Sequence, residues 1–445
     1  MFKGEDEWLK QQRSFWNAFY HDLKQHGPKT TPLEHPEGHE PQLKVDFDRH
    51  AEHTRPDYMQ ITNEQQHALT TAHSAFVQAL GNRTYSLPYK PGTRGVVTTA
   101  GGNYLNVALV SVRMLRRTGS VLPVEVFLAD WSEFDEDICG AALPSLNARC
   151  VVLEDIFNTY YSLYKVDIST YQFKVLSIML SSFEEVLFLD SDCFPVHDPS
   201  PLFDKQPFTD TGLILWPDFW FPSESHLYFD IAGIPAPDVH KQSSTEAGEI
   251  MYSKSKQEAG ILLAAYYNYY GPDFYYPLQS QGAPGEGDKE TFLWASIATN
   301  TSYYAVREPV NALGYRSSAG DWRGSAMVQF DPFQDYHNAT TPYRPRPFFL
   351  HVNFPKIDPG QIFIPEHLSF GVLTPVLDSD NSMRRIWHST TPAALEFFMG
   401  EDVEKAMWEE VKDIACTYEK TIRAWRGKKD VCHNATVYYD HVFLH

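Results

Sequence analysis

Val186-Leu187-Phe188-Leu189-Asp190-Ser191-Asp192-Cys193-Phe194-Pro195-Val196 is the stretch that decides the architecture. Four large apolar residues in a row, stopped by acids with a proline close behind, read as an interior strand of a parallel sheet. Ligands of open α/β sheets sit just beyond the carboxyl ends of such strands. Residues i and i+2 of a strand share a face, about 7 Å apart along the chain, so Asp190 and Asp192 can both face one divalent cation. The same spacing recurs at Asp46/Asp48, Asp135/Asp137 and Asp378/Asp380, but only the Asp190 pair closes an apolar run. The alternative for this pair is two acids capping a turn.

Strands and helices alternate around that stretch. Gly95–Thr99 reads as a strand ended by Ala100-Gly101-Gly102, and Leu105, Ala108, Leu109, Val112 and Leu115 recur at helical spacing until Gly119. Val124–Leu128 and Cys150–Leu153 read as further strands. Phe173, Leu176 and Leu180 mark one face of a helix leading into Val186. The expected fold class is α/β, a Rossmann-like, mostly parallel sheet flanked by helices over residues 94–445. Residues 1–93 are polar and aromatic, with prolines at 28, 32, 36 and 41 and a helical stretch near 60–80, and read as a stem with a helical appendage.

The net charge of −20 argues against nucleic acid or an anionic membrane surface, which need a basic footprint, and favours a neutral polymer. No uninterrupted apolar run is long enough to span a membrane, and no apolar core follows Met1-Phe2-Lys3-Gly4-Glu5-Asp6 as in a secretory signal. The chain is then cytosolic, or the soluble part of a protein whose anchor is missing. Sequons at Asn82, Asn300, Asn338 and Asn434 favour the second, as do the five cysteines. Cys139/Cys150 and Cys416/Cys432 can form two local disulfides in an oxidising lumen, leaving Cys193 free. Five reduced cysteines are the cytosolic alternative.

Several segments carry candidate chemistry. Ala100, Gly101 and Gly102 let the backbone approach a nucleotide, although no G-x-G-x-x-G fingerprint is present and a dinucleotide is not expected. Leu215–Trp220 sets Trp216 and Trp220 around Asp218; rings and a carboxylate suit a sugar, and core tryptophans are the alternative. In Gln281–Thr291, three glycines deliver Glu286, Asp288, Lys289 and Glu290 to a helix start. Phe348–Lys356 presents His351 at the end of an apolar strand and Lys356 five residues on. His351 can complete a cation site with Asp190 and Asp192, and the lysine can pair with phosphates. Mixed oxygen and nitrogen donors suit Mn2+ bridging a nucleotide diphosphate. With neither a Walker lysine loop nor G-x-S-x-G, these parts fit glycosyl transfer from a nucleotide sugar.

The blocks Arg94–Asp130, Gln172–Phe203, Leu215–Trp220, Gly260–Ala295 and Leu350–Lys356 resemble the fungal Golgi α-mannosyltransferases that build mannan and N-glycan outer chains. Leu-Asp-Ser-Asp-Cys-Phe-Pro-Val and Gly-Glu-Gly-Asp-Lys-Glu-Thr-Phe are specific in combination. The resemblance implies a GT-A fold, GDP-mannose as donor, Mn2+ as cofactor, a mannose-containing oligosaccharide as acceptor, and a Golgi-lumen enzyme with a type II anchor that this sequence does not contain. It lies nearer the α-1,2 branching enzymes than the terminal α-1,3 enzymes. An α-linked product from an α-linked donor implies retention. Similarity to other retaining GT-A enzymes assigns His351 to the metal, Lys356 to the diphosphate and Lys174 to the donor. Asp190 has a second role open to it, bridging to the ribose. Asp288-Lys289 stands where those enzymes place an acid and a glutamine beneath the donor sugar, so either residue is a candidate for the group facing the anomeric carbon. Trp216, Asp218, Trp220, Glu286 and Glu290 are the candidate sugar contacts. Two alternatives stay open: α-1,3 transfer on the same scaffold, and a glycan-binding pseudoenzyme.

Overall fold

In the structure, a computed structural model, residues 3–157, 168–316, 320–337, 344–363, 376, 382–388, 390 and 392–444 are described. Asp378, Asp380 and the sequon at Asn338 lie outside them. In chain order the strands are β1 (Lys90–Thr99), β2 (Val124–Leu128), β3 (Ala148–Val152), β4 (Phe183–Leu189), β5 (Cys193–Pro195) and β6 (Leu213–Pro217). They continue as β7 (Thr245–Ser253), β8 (Tyr304–Ala305), β9 (Asn311–Arg316), β10 (Trp322–Phe330) and β11 (Pro347–His351). The chain forms two compact units.

Unit 1 comprises Met1–Val97, Val152–Phe188 and Gln206–Pro309. Its strands lie in the order β1-β4-β7-β6-β8. β1 and β4 run parallel, with Val96 opposite Leu187 and Val97 opposite Phe188. β6 and β8 are also parallel, and β7 runs against β6. β4 is interior, and Val186, Leu187 and Phe188 are fully buried, as a run without polar alternation requires.

The N-terminal stretch expected as a stem is packed into unit 1. The helix Lys3–Gln25 buries Trp8, Phe15, Trp16, Phe19 and Leu23, and Trp16 lies 4.6 Å from Phe157, centroid to centroid. The helix Asn63–Asn82 matches the expected helical stretch. It starts at a capping box in which Thr62 Oγ1 accepts from the Gln65 amide and the Gln65 side chain accepts from the Thr62 amide.

Unit 2 comprises Thr98–Val151, Leu189–Lys205 and Val310–His445. It holds β2 beside β3, and a four-stranded sheet in the order β5-β11-β10-β9, whose pairs are antiparallel. The helix Tyr104–Arg117 buries every residue from Leu105 to Val112 and ends as Gly119 turns left-handed, φ +84°, a conformation glycine adopts without strain. Cys139–Cys150 and Cys416–Cys432 are disulfide-bonded, and Cys193 is free and buried. The sequons do not all sit in loops. Asn82 ends a helix and Asn434 lies inside the helix Val431–Phe443, both exposed, whereas Asn300 follows the helix Thr291–Ala298.

Candidate functional site

Unit 2 gathers one cluster from two distant stretches of chain. β5 begins directly after Asp192 and pairs antiparallel with β11, with Cys193 opposite His351. The Val352 amide donates to the Asp192 carbonyl at 2.8 Å, extending that register by one residue. The acid turn is fixed from the other side, where Ser111 Oγ donates to the Ser191 carbonyl at 2.6 Å. As a result His351 Nε2 stands 3.3 Å from Asp192 Oδ1 and 4.0 Å from Asp190 Oδ2. Lys356 Nζ pairs with Asp192 Oδ2 and lies 5.8 Å from the centre of the Tyr104 ring.

Asp192 is only 5% exposed. Burial alone would raise its pKa, but His351 and Lys356 outweigh that and hold the carboxyl well below the usual range. Burial disfavours the Lys356 charge and Asp192 restores it, so that pKa is raised. His351 Nε2 thus faces a carboxylate oxygen of each acid, a mixed oxygen and nitrogen donor set of the kind that suits a divalent ion.

Sequence reasoning missed Asp358, which is 3% exposed. It accepts from Asn106 Nδ2 at 3.2 Å, Trp425 Nε1 at 2.9 Å and the Gly360 amide at 2.9 Å, anchoring the segment just after Lys356. A carboxylate inside Ile357-Asp358-Pro359-Gly360 is the signal that could have revealed it. In the turn after β1, the Ala100 amide donates to the Phe127 carbonyl at 2.9 Å, and Gly102 is exposed with φ +55°. A Cβ at Gly101 would collide with the Glu133 carboxylate, so a protein side chain already stands close to that backbone.

Unit 1 holds the other candidate residues. Lys174, on the buried helix Gln172–Leu180, donates to the Ala247 carbonyl at 2.6 Å and lies 3.4 Å from Asp288 Oδ2. Lys289 points elsewhere. Its Nζ is 2.7 Å from Asp218 Oδ2 and 3.0 Å from the Pro284 carbonyl, and it is buried. Asp218 also accepts from the Phe219 amide at 2.7 Å. Glu290, 1% exposed, accepts from Ser244 Oγ at 2.6 Å and the Thr245 amide at 3.0 Å. Burial and the nearby Glu224 push its pKa up to about 7. Glu286 is partly exposed and accepts from the Gly282 amide at 2.7 Å, with His35 Nδ1 3.0 Å away.

These placements correct several expectations. Trp216 is fully buried in β6 and offers no face to a sugar, whereas Trp220 is half-buried. Asp218, Lys289 and Glu290 spend their polar atoms on each other, on the Ser244 and Thr245 hydroxyls or on the backbone, so they hold the loop in shape. Asp288 stands beside Lys174, whereas Lys289 is turned away to Asp218.

The sequence matches the model of the family described as "Mannosyltransferase putative" over residues 93–243 and 236–331. That is more than half of the 445 residues, and the chain belongs to this mannosyltransferase family. It is 32% identical to alpha-1,2-mannosyltransferase MNN21 of Candida albicans, over 84% of this chain and 65% of that protein. It is 32% identical to alpha-1,2-mannosyltransferase MNN2 of Saccharomyces cerevisiae, over 73% of this chain and 61% of that protein. The chain therefore spans less than two thirds of the length of these relatives. Among solved structures, the galactosyltransferase LgtC in complex with donor and acceptor sugar analogs covers 47% of this chain and 72% of its own, at 18% identity and a TM-score of 0.31. That likeness is too low to argue from.

Proposed function

We propose that this chain is a retaining, Mn2+-dependent GT-A enzyme. It moves mannose from GDP-mannose to a mannose hydroxyl of a mannan or N-glycan chain and forms an α-1,2 linkage. The observation that carries this reading is the convergence of Asp190, Asp192, His351 and Lys356, residues up to 166 positions apart, at the end of β4. Membership of a mannosyltransferase family supports it, and the relatives named as α-1,2 enzymes favour that linkage over α-1,3. A divalent cation bound here would supply positive charge to offset that of a departing nucleotide diphosphate. Asp190, Asp192 and His351 would hold it, and the half-exposed Lys356 would contribute its positive charge to the diphosphate.

Asp288, held beside Lys174, orients the transferred mannose and stabilises positive charge as its glycosidic bond lengthens. The two disulfides support an oxidising compartment, for which we propose the Golgi lumen. No helix among the described residues is long and apolar enough to cross a membrane.

The test is incubation with GDP-mannose, Mn2+ and a panel of mannosides, followed by linkage determination. An α-1,2 product is expected. An α-1,3 product moves the assignment to the alternative enzyme. Mannoside binding by a folded chain without any turnover would make it a glycan-binding pseudoenzyme.

A further inference from the structure

Unit 1 contains a cleft of about 350 Å³ between residues 42–58 and 221–223, a size that falls within the range of small-ligand sites. Glu52, His53, Thr54, Tyr58, Phe221 and Ser223 are among its lining residues, and no lysine or arginine lines it. Burial and the neighbouring His240 hold His53 below its ordinary pKa of 6.5, so the imidazole is neutral at neutral pH. A phosphate or nucleotide finds no counter-charge there. A neutral polyol finds aromatic surface for its C–H faces, and a carboxylate, an imidazole and hydroxyls for its own hydroxyls.

The walls are preformed. Arg55 pairs with Glu224 while both are almost fully buried, donates to the Pro237 carbonyl at 3.0 Å and covers the Phe229 ring at 4.8 Å. His53 stacks on Phe221 at 4.0 Å and Tyr58 on His39 at 3.9 Å. The Phe47 amide donates to the Phe219 carbonyl at 2.7 Å and the Phe221 amide to the Val45 carbonyl at 3.1 Å, so residues 45–47 run along 219–221.

One buried side chain ties both walls to the Asp288 loop. Gln281 is 0% exposed with a left-handed backbone, φ +53°. Its Oε1 accepts from the Tyr58 and Met59 amides at 2.8 and 3.1 Å. Its Nε2 donates to the Pro56 and Ser223 carbonyls at 2.9 and 2.8 Å. The next residue, Gly282, opens the loop that carries Glu286 and Asp288. From the other direction, Phe221 follows Asp218 by three residues, a reach of about 10 Å at most.

We infer that this cleft is an acceptor subsite. It takes a neutral mannoside unit of the glycan chain beyond the sugar being elongated, and Gln281 is the positioning residue that sets the cleft against the Asp288 loop. The inference rests on the reading of the chain as a mannosyltransferase for the identity of its ligand.

The test fills the cleft from its exposed rim with Thr54→Trp, and repeats the measurement with Tyr58→Ala in case the first variant does not fold. Calorimetry with mannotriose needs no turnover, and the ratio of kcat/KM for mannotriose over methyl α-mannoside is measured beside it. Thr54→Trp is expected to weaken mannotriose binding about tenfold and to lower the ratio by a similar factor. The subsite is overturned if folded variants bind mannotriose as tightly as the parent chain. It is also overturned if the parent binds mannotriose no more tightly than methyl α-mannoside. Absence of turnover with every acceptor would end the enzymatic reading and leave the calorimetric result to decide the cleft.

Discussion

Replacing Lys289 with Met separates support from chemistry in the Asp288-Lys289 pair. The Lys289 and Asp218 side chains are 7% and 8% exposed, with their charged atoms 2.7 Å apart. Burial disfavours the ammonium, but Asp218 and Glu290 outweigh it and raise the lysine pKa above 10.5. Burial outweighs Lys289 at Asp218 and raises the Asp218 pKa, so the ion pair weakens at low pH as that acid takes a proton. The lysine's own contribution is fully present below its unfolded pKa. It is lost only as pH rises through the folded value, outside the assay range. Methionine keeps most of the volume and deletes the charge, leaving Asp218 buried without its partner. Breaking a buried pair from one side costs about 3–5 kcal/mol. Asp218→Asn/Lys289→Met removes both charges and should lose no more than about 1–2 kcal/mol. Urea unfolding at pH 7, followed by tryptophan fluorescence and circular dichroism, reads both quantities. Mannosyl transfer by the double variant should stay within a few-fold of the parent. A folded double variant that has lost about 10³-fold in kcat would place Lys289 at the reacting carbon. A single variant as stable as the parent would refute the burial argument.

Asp288→Asn is expected to lose about 10²–10³-fold in kcat with little change in GDP-mannose affinity; weakened donor binding at unchanged kcat would make Asp288 a binding group only. Asp192→Asn should lower Mn2+ affinity at least about tenfold by calorimetry, and unchanged Mn2+ binding would remove Asp192 from the cation site. Burial pushes the Glu404 pKa up to about 7 against the opposing pull of Arg385. The folded state then holds a proton that the unfolded state releases near pH 4.5, so stability falls as pH rises from about 4.5 to 7, by about 3 kcal/mol. Glu404→Gln keeps an acceptor for the Ile386 amide and should make that decline shallower between pH 5 and 8 in urea unfolding, with the share from Glu290 remaining; equal pH dependence in both chains refutes it. Cys416→Ser/Cys432→Ser opens a loop of 16 residues and should cost about 3 kcal/mol, a loss that equilibrium unfolding would miss only if the denatured chain were equally constrained.

Much of the fold was legible because its signals are local. Val124–Leu128 is a strand at the bounds its apolar run implies, and Phe173, Leu176 and Leu180 do mark a helix leading into β4. The N-terminal region was misread as a stem because its partners are remote. Trp8, Phe15, Trp16, Phe19 and Leu23 have helical spacing, but whether that face is covered depends on residues such as Phe76 and Phe157. Trp216 was misjudged for a related reason. An aromatic residue beside an acid looks the same in sequence whether its ring is buried or exposed, and only the structure shows that every residue of β6 is buried.

For the site, residue type was legible and residue commitment was not. An acid pair closing an apolar run, a histidine ending another and a lysine soon after were enough to nominate a cluster that the structure brings together. Which groups were already engaged depends on contacts across long separations: Lys289 with Asp218 over 71 positions, and Lys356 with Asp192 over 164. No spacing rule reaches that far. The consequence differs between the two acids of the motif. Asp192 is nearly enclosed, bonded by Lys356 and faced by His351, so changing it disturbs a buried network as well as any bound ion. The Asp190 side chain is 27% exposed and stands farther from His351, at 4.0 Å. A substitution at Asp190 therefore reports on ligand binding with less cost to the fold, and comparing the two positions separates loss of the ion from loss of the network that would hold it.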